Sequence, residues 1–141
     1  MLILHLLAAG AWLGCVLVEA VVESMQSSDS SVRRIVADLH YRTDLLVEIP
    51  LIALVVITGV AQFDPMRFSG WYALKVVLGS ITVVSNLYCV LPVMRRQRAA
   101  QAGRWEEATR QDQLMLKAGY IVIPSGIATF AVAAYGLMAA P

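Results

Sequence analysis

The chain has 141 residues, of which 59% are hydrophobic and 15% are charged, and its net charge is +1. Soluble domains carry about 25% charged residues, so this composition excludes an ordinary soluble domain and favours a single integral membrane domain. So small a net charge gives no indication of a nucleic-acid partner, because topology places the basic residues of a membrane protein.

Four apolar stretches of 19–23 residues follow one another along the chain. The predicted membrane spans are residues 2–22, 45–63, 71–93 and 118–139. The polar connections 24–44 and 95–117 hold nine basic residues, against two on the opposite side. The positive-inside rule therefore predicts that both connections are cytoplasmic and that both termini are outside. The predicted fold is an all-α integral membrane four-helix bundle.

The first span carries two ionisable residues, His5 and Glu19. Such residues are costly in lipid, so we expect them to face the interior of the bundle. His5, Trp12 and Glu19 are seven residues apart and therefore share one helix face. Gly10 and Gly14 lie roughly opposite, in a pattern typical of close helix contact.

The connections contain several helix and turn signals. A Ser-rich turn over residues 24–31 is followed by an amphipathic stretch from Val32, which predicts an interfacial helix or a cytoplasmic extension of the second span. Pro50 removes a backbone hydrogen bond, so either the helix kinks there or its membrane part begins there. Residues 64–70 form a predicted hairpin loop, and Gly103 is expected to break the second connection.

Topology predicts a polar layer near the outer surface. His5 and Lys75 each lie about one helical turn inside their spans, ~5 Å into the apolar zone. They are neighbours if the first and third spans are adjacent. Lys75 either extends to the outer interface or has a buried role. Lys75, Thr82 and Asn86 share a face of the third span, and His5 is the candidate ligand or proton-handling group.

A second polar layer is expected in the inner leaflet, ~22–26 Å from the outer surface. Glu19, Glu48 and Asn86 fall at this level, where a structural ion-pair cluster is the simplest interpretation. The candidate counter-charges for this layer are Arg42, Arg95 and His40. His40, Asp44 and Glu48 follow an i, i+4, i+8 spacing and could line one side of a helix. Because His40 lies outside the predicted spans, we expect it to be solvated or interfacial.

Several of these positions together resemble a superfamily of small bacterial membrane proteins. The pattern comprises His5-x6-Trp12-x-Gly14, then Pro50 and Gly59, then Gly70-Trp71-x3-Lys75, and finally Pro92-x2-Arg95-Arg96. This superfamily includes the HemJ-type protoporphyrinogen oxidases, the membrane part of the copper-resistance CopD proteins and uncharacterised four-helix relatives. The uncharacterised relatives fit best.

In the HemJ-type enzymes, a histidine of the first helix and a lysine of the third are the functional pair, with haem b in the bundle. The resemblance therefore implies that His5 is an axial haem ligand and a metal ligand, with Trp12 in the cofactor site. It implies that Lys75 is a catalytic residue and the partner of a propionate or of the substrate. The expected protein is a haem-binding oxidoreductase of the bacterial inner membrane, acting in electron transfer or porphyrin oxidation.

Other functions remain open from the sequence. The small size and the Gly10/Gly14 seam also fit a non-enzymatic accessory or assembly subunit, in a homo-oligomer or a larger membrane complex surrounded by lipid. A single outer histidine disfavours a high-affinity copper or zinc site there. An ion transporter that uses Glu19 and Glu48 is disfavoured because inverted repeats and broken spans are not apparent.

Overall fold

The computed structural model describes residues 1–24 and 28–138, in which every regular element is helical. The elements are α1 (Leu2–Ser24), α2 (Ser30–Thr43), a π-helical turn (Asp44–Glu48), α3 (Ile49–Ala61), a 3-10 turn (Pro65–Arg67), α4 (Gly70–Gln101) and α5 (Trp105–Met138). The predicted all-α four-helix bundle is confirmed, and each helix of the bundle is long and apolar enough to cross a membrane. Part of the predicted Ser-rich turn (25–27) and the predicted end of the fourth span (139) lie outside the described residues.

The second helix of the bundle is continuous from Ser30 to Ala61, through α2, the π turn and α3. The amphipathic stretch is therefore an extension of the second span. Ile49 donates its N–H to the carbonyl of Asp44, five residues back. This wider winding directly precedes Pro50, whose ring would clash with the carbonyl four residues back in a regular α-helix. The helix consequently continues through the proline.

Side-chain caps and two glycines define the turns. Asp29 precedes α2 and accepts a hydrogen bond of 2.8 Å from the N–H of Ser31. Asp64 caps the 3-10 turn in the same way. Gly70 and Gly103 have φ angles of 52° and 71°, a region that residues with a Cβ rarely adopt. Gly103 separates α4 from α5, as the sequence predicts.

The helices α4 and α5 continue well beyond the predicted spans, to Gln101 and from Trp105. Their extensions pack against each other and α4 also packs against α2, so the second connection is ordered tertiary structure. The small residues buried in this region are Ala37, Ala99, Ala100 and Ala108. Alanine allows helix backbones to approach closely, which brings the charged residues of these extensions together.

The first helix packs on α3 through Ala8 and Trp12, which contact a cluster that includes Val55. Gly10 and Gly14 do not take part: a Cβ at either position would meet no atom of the described residues within 4 Å. The helix face that carries Trp12 is the packed face, so the glycines on the opposite side point away from the bundle. The predicted seam is an outer surface of this chain.

Candidate functional site

A cavity of about 410 Å³ lies at the end of the bundle where α3 connects to α4. Its walls come from α1, α3, α4 and α5 and are mostly apolar. The polar side chains on these walls include His5, Trp12, Gln62, Tyr72, Lys75 and Thr82. An apolar cavity of this size with a few polar groups is typical of a small-molecule site. The structure thus brings the three predicted cofactor residues to one cavity, which we call the outer cavity.

The imidazole of His5 is oriented by Thr58 on α3. Its Nδ1 lies 2.9 Å from Thr58 Oγ1, and this hydroxyl lies 2.6 Å from the carbonyl oxygen of Leu54. Since a hydroxyl has one proton and Thr58 donates it to Leu54, the Thr58 oxygen must accept the Nδ1–H of His5. The backbone of Val55 is a further hydrogen-bond partner of the ring, and with the proton on Nδ1 the Nε2 atom of His5 keeps its lone pair. A neutral imidazole in this tautomer is ready to bind a metal ion or accept a proton.

The His5 ring also lies directly against Gly59 of α3. A Cβ at Gly59 would be 3.3 Å from His5 Cε1 and 3.8 Å from His5 Nδ1. The Nδ1–Cε1 edge of the ring therefore faces α3, and the lack of a side chain at Gly59 allows this approach. Thr58 is a partner of His5 that the sequence analysis missed, although a Thr-Gly pair within an apolar span was a signal for it.

Two donors of the outer cavity, on Trp12 and Lys75, have no acceptor among the described residues. Lys75 is half-buried and close enough to His5 for an electrostatic interaction, but no carboxylate pairs with it among the described residues. Trp12 is 6% exposed, and its buried indole N–H has no hydrogen-bond partner within the same part of the chain. Buried donors without acceptors are costly. A ligand that carries negative or acceptor groups would satisfy both of them.

A second cavity of about 520 Å³ lies toward the other end of the bundle, and we call it the inner cavity. Val16 and Val122 line both cavities and therefore lie between them. The polar side chains on the walls of the inner cavity include Glu19, Glu23, His40, Asp44, Glu48, Asn86 and Asp112. The predicted inner group of Glu19, Glu48 and Asn86 thus lines one cavity.

A nearly buried arginine, Arg96, is the centre of an ion-pair network beside the inner cavity. Its Nη1 and Nη2 bind the two carboxylate oxygens of Glu23 at 2.5 and 3.0 Å. Its Nε lies 2.8 Å from Asp112 Oδ1, and Arg33 lies 3.6 Å from the other oxygen of Asp112. These pairs connect α1, α2, α4 and α5 at one level of the bundle.

The structure does not bring Arg42 to this network. Arg42 binds Asp38 at 2.8 Å, and its side chain is 68% exposed. Two residues along an α-helix correspond to a rotation of about 200°, so Arg42 points away when His40 points inward. Arg95 is also exposed, and its neighbour Arg96 is the buried cation. His40, a candidate counter-charge that was expected to be solvated or interfacial, has a side chain only 15% exposed and lies inside the network.

Comparisons of the chain with protein-family models, curated proteins and solved structures found no match. The fold defines a class, a multi-pass helical membrane protein. The chain has an outer cavity with polar atoms that lack a partner among the described residues, and an inner cavity bordered by ion pairs.

Proposed function

We propose that this chain is a haem-binding protein of the bacterial inner membrane that acts in electron transfer or porphyrin oxidation, with His5 as axial ligand through Nε2. The observation that carries the proposal is the hydrogen bond from His5 Nδ1 to Thr58. Histidines that bind metals usually donate their other ring N–H to an acceptor, which fixes the tautomer and the ring orientation. Haem b bound there would supply a one-electron redox centre whose potential depends on ligation and burial.

The other groups of the outer cavity support a haem rather than a bare metal ion. A single histidine gives too few ligands for a copper or zinc site, whereas haem needs only axial ligation from the protein. The apolar walls suit a flat hydrophobic ring. Lys75, which has no carboxylate partner among the described residues, would bind a propionate or the carboxylate of a porphyrin substrate.

The resemblance to the HemJ/CopD-like superfamily supports the same pair of residues. The histidine and the lysine of the functional pair match His5 and Lys75, and both line the outer cavity. In porphyrin oxidation, Lys75 would orient the substrate, and Trp12 would contribute an indole N–H from the wall of the cavity. The membrane itself supplies the apolar surroundings that exclude water from this site.

The proposal is tested by purifying the full chain in detergent from a haem-replete host and recording reduced-minus-oxidised spectra. The wild type should show a Soret band, and His5→Ala should lose it. His5→Gly with added imidazole should regain haem, because free imidazole can occupy the space of the missing ring. Leu4→Ala changes an exposed residue on the same turn of α1 and should keep the band.

A colourless wild-type preparation that also fails to bind added hemin would contradict the proposal. A Soret band of equal size in His5→Ala would contradict the assignment of the ligand. A colourless protein that co-purifies with other membrane subunits would instead support an accessory or assembly role. The outward-facing Gly10 and Gly14 favour that second function, because they leave α1 a smooth surface for another chain.

A further inference from the structure

We infer that the inner cavity binds one divalent transition-metal cation between His40, Glu19 and Asp44, with Glu48 beside it. This site is separate from the outer cavity and does not depend on haem. Val16 and Val122 lie between the two.

The orientation of His40 is the first observation that supports a metal site. Its Nδ1 lies 2.7 Å from Glu23 Oε1, and Glu23 is bound in turn by Arg96. An ionised carboxylate only accepts hydrogen bonds, and Glu23 Oε1 is closer to Nδ1 than Arg96 Nη1, which lies 3.3 Å away, so the proton is assigned to Nδ1 of His40. In the neutral imidazole, Nε2 then presents its lone pair to the cavity residues. A carboxylate that accepts the other N–H of a histidine is the usual outer support of a metal site.

The distances from His40 Nε2 to the neighbouring carboxylates are the second observation that supports a metal site. Glu19 Oε2 and Asp44 Oδ1 are each 3.5 Å from this nitrogen. Both distances exceed the usual N–H···O range of about 2.7–3.2 Å. In a tetrahedral complex with metal–ligand distances of about 2.1 Å, neighbouring ligand atoms are about 3.4 Å apart. Ligand atoms of the three residues lie within 4.8 Å of one another, close enough for one ion to contact all three.

Glu48 gives an independent indication of a ligand. It is 3% exposed and lines the same cavity, and its Oε1 has no hydrogen-bond partner within the described ranges. The Oε1 atom of Glu19 is also buried without a partner there. Glu48 also forms side-chain hydrogen bonds with Asn86 and with Glu19, and oxygens of the two glutamates lie within 4.8 Å of each other. The one oxygen of each that has no partner in the described ranges is costly in such surroundings, and a cation would compensate it.

The charges that face the cavity also favour a cation. Both arginines at this level are already paired, Arg96 with Glu23 and Asp112, and Arg33 with Asp112. Among the described residues, the carboxylates of the cavity without an arginine ion pair are Glu19, Asp44 and Glu48. An imidazole combined with carboxylate oxygens suits zinc, iron(II) and similar first-row ions. Three ligands and an adjoining cavity leave a coordination position open.

The test is a metal titration of the full chain, purified in detergent without added haem and stripped with a chelator. Co²⁺ should bind at one equivalent with the visible absorption of a tetrahedral site, and Zn²⁺ should displace it. His40→Gln, Glu19→Gln and Glu48→Gln should each weaken binding by roughly tenfold to 100-fold or more. Asp38→Asn is the matched control, because Asp38 lies on α2 but binds the exposed Arg42.

Absence of stoichiometric Co²⁺ binding by the wild type would by itself overturn the inference, whatever the variants do. Unchanged affinity in folded His40→Gln and Glu19→Gln would overturn it as well, because the ion would then lie elsewhere. Gel filtration and thermal unfolding establish that each variant is folded. Because haem is absent from the titration, its failure leaves the His5 proposal intact.

Discussion

At the outer cavity, Trp12 and Lys75 each keep a polar atom without a partner in the described part of the chain. At the other end of the bundle, Arg96 is joined to Glu23 and Asp112, so that buried charges are paired across four helices. Both ends contain ionisable groups in a low-dielectric environment, but only one end neutralises most of them internally.

The difference separates two uses of buried polar groups. A densely paired network fixes the positions of the helices relative to one another, and removing one member should lower the free energy of unfolding. Unpaired groups around an apolar cavity contribute little to stability, and removing one of them should lower the affinity for the ligand. Glu19 and Glu48 are exceptions at the inner end, since one oxygen of each is unpaired among the described residues.

The largest expected effect is that of Arg96→Met. We expect the free energy of unfolding to fall by about 3–5 kcal/mol, because Glu23 and Asp112 would lose their buried partner. Chemical denaturation of the detergent-solubilised protein measures this. Arg42→Met is the control, and it should cost less than about 1 kcal/mol because its ion pair is exposed. Equal losses for the two variants would contradict the distinction between the two kinds of ion pair.

The next effect concerns the outer cavity, where Thr58→Val should reduce haem affinity about tenfold to 100-fold. Valine preserves the shape of the side chain but cannot accept the Nδ1–H of His5, so the tautomer is no longer fixed. Hemin titration of the purified apoprotein measures the affinity. Thr58→Ser keeps the hydroxyl and should bind hemin almost as the wild type does. If Thr58→Val bound hemin with the wild-type affinity, this hydrogen bond would not be needed to orient His5 as the axial ligand.

The smallest effect is expected from a pair of glycine substitutions. Gly59→Ala places a methyl group 3.3 Å from His5 Cε1, so the ring must shift by a few tenths of an ångström. We expect a fall in hemin affinity below about tenfold. Gly10→Ala adds the same methyl group where no described atom lies within 4 Å, and it should leave the affinity unchanged. The same titration compares them, and equal affinities would show that contact with Gly59 does not orient His5.

The sequence was sufficient to predict the four helices, and it placed His5 and Lys75 at one depth; that they line one cavity came from the structure. Hydrophobic length defines membrane spans, and the seven-residue spacing of His5, Trp12 and Glu19 defines a face without knowledge of the neighbours. Thr58 was not assigned a role, because the use of a hydroxyl depends on the side chain opposite it. That side chain belongs to another helix and is 53 residues away.

The inner end was predicted less well for a different reason. Hydropathy locates the end of an apolar stretch, whereas α4 and α5 continue as packed helices into polar sequence. Arg96 and His40 were therefore assigned to solvated connections, although both are largely buried. The direction of Gly10 and Gly14 also depends on which helix packs against α1, and sequence periodicity alone does not specify that choice.

The π turn between Asp44 and Glu48 determines the angular alignment of the inner ligands. In a regular α-helix, residues eight apart such as His40 and Glu48 are about 80° apart around the axis. One additional residue in the turn makes them equivalent to residues seven apart, with an offset of about 20°. If the same residues were wound as a regular α-helix, His40 would be rotated by about 100° relative to Glu48 and Thr58. The π-helical winding of a five-residue segment thus sets the angular relation of His40 to both cavities.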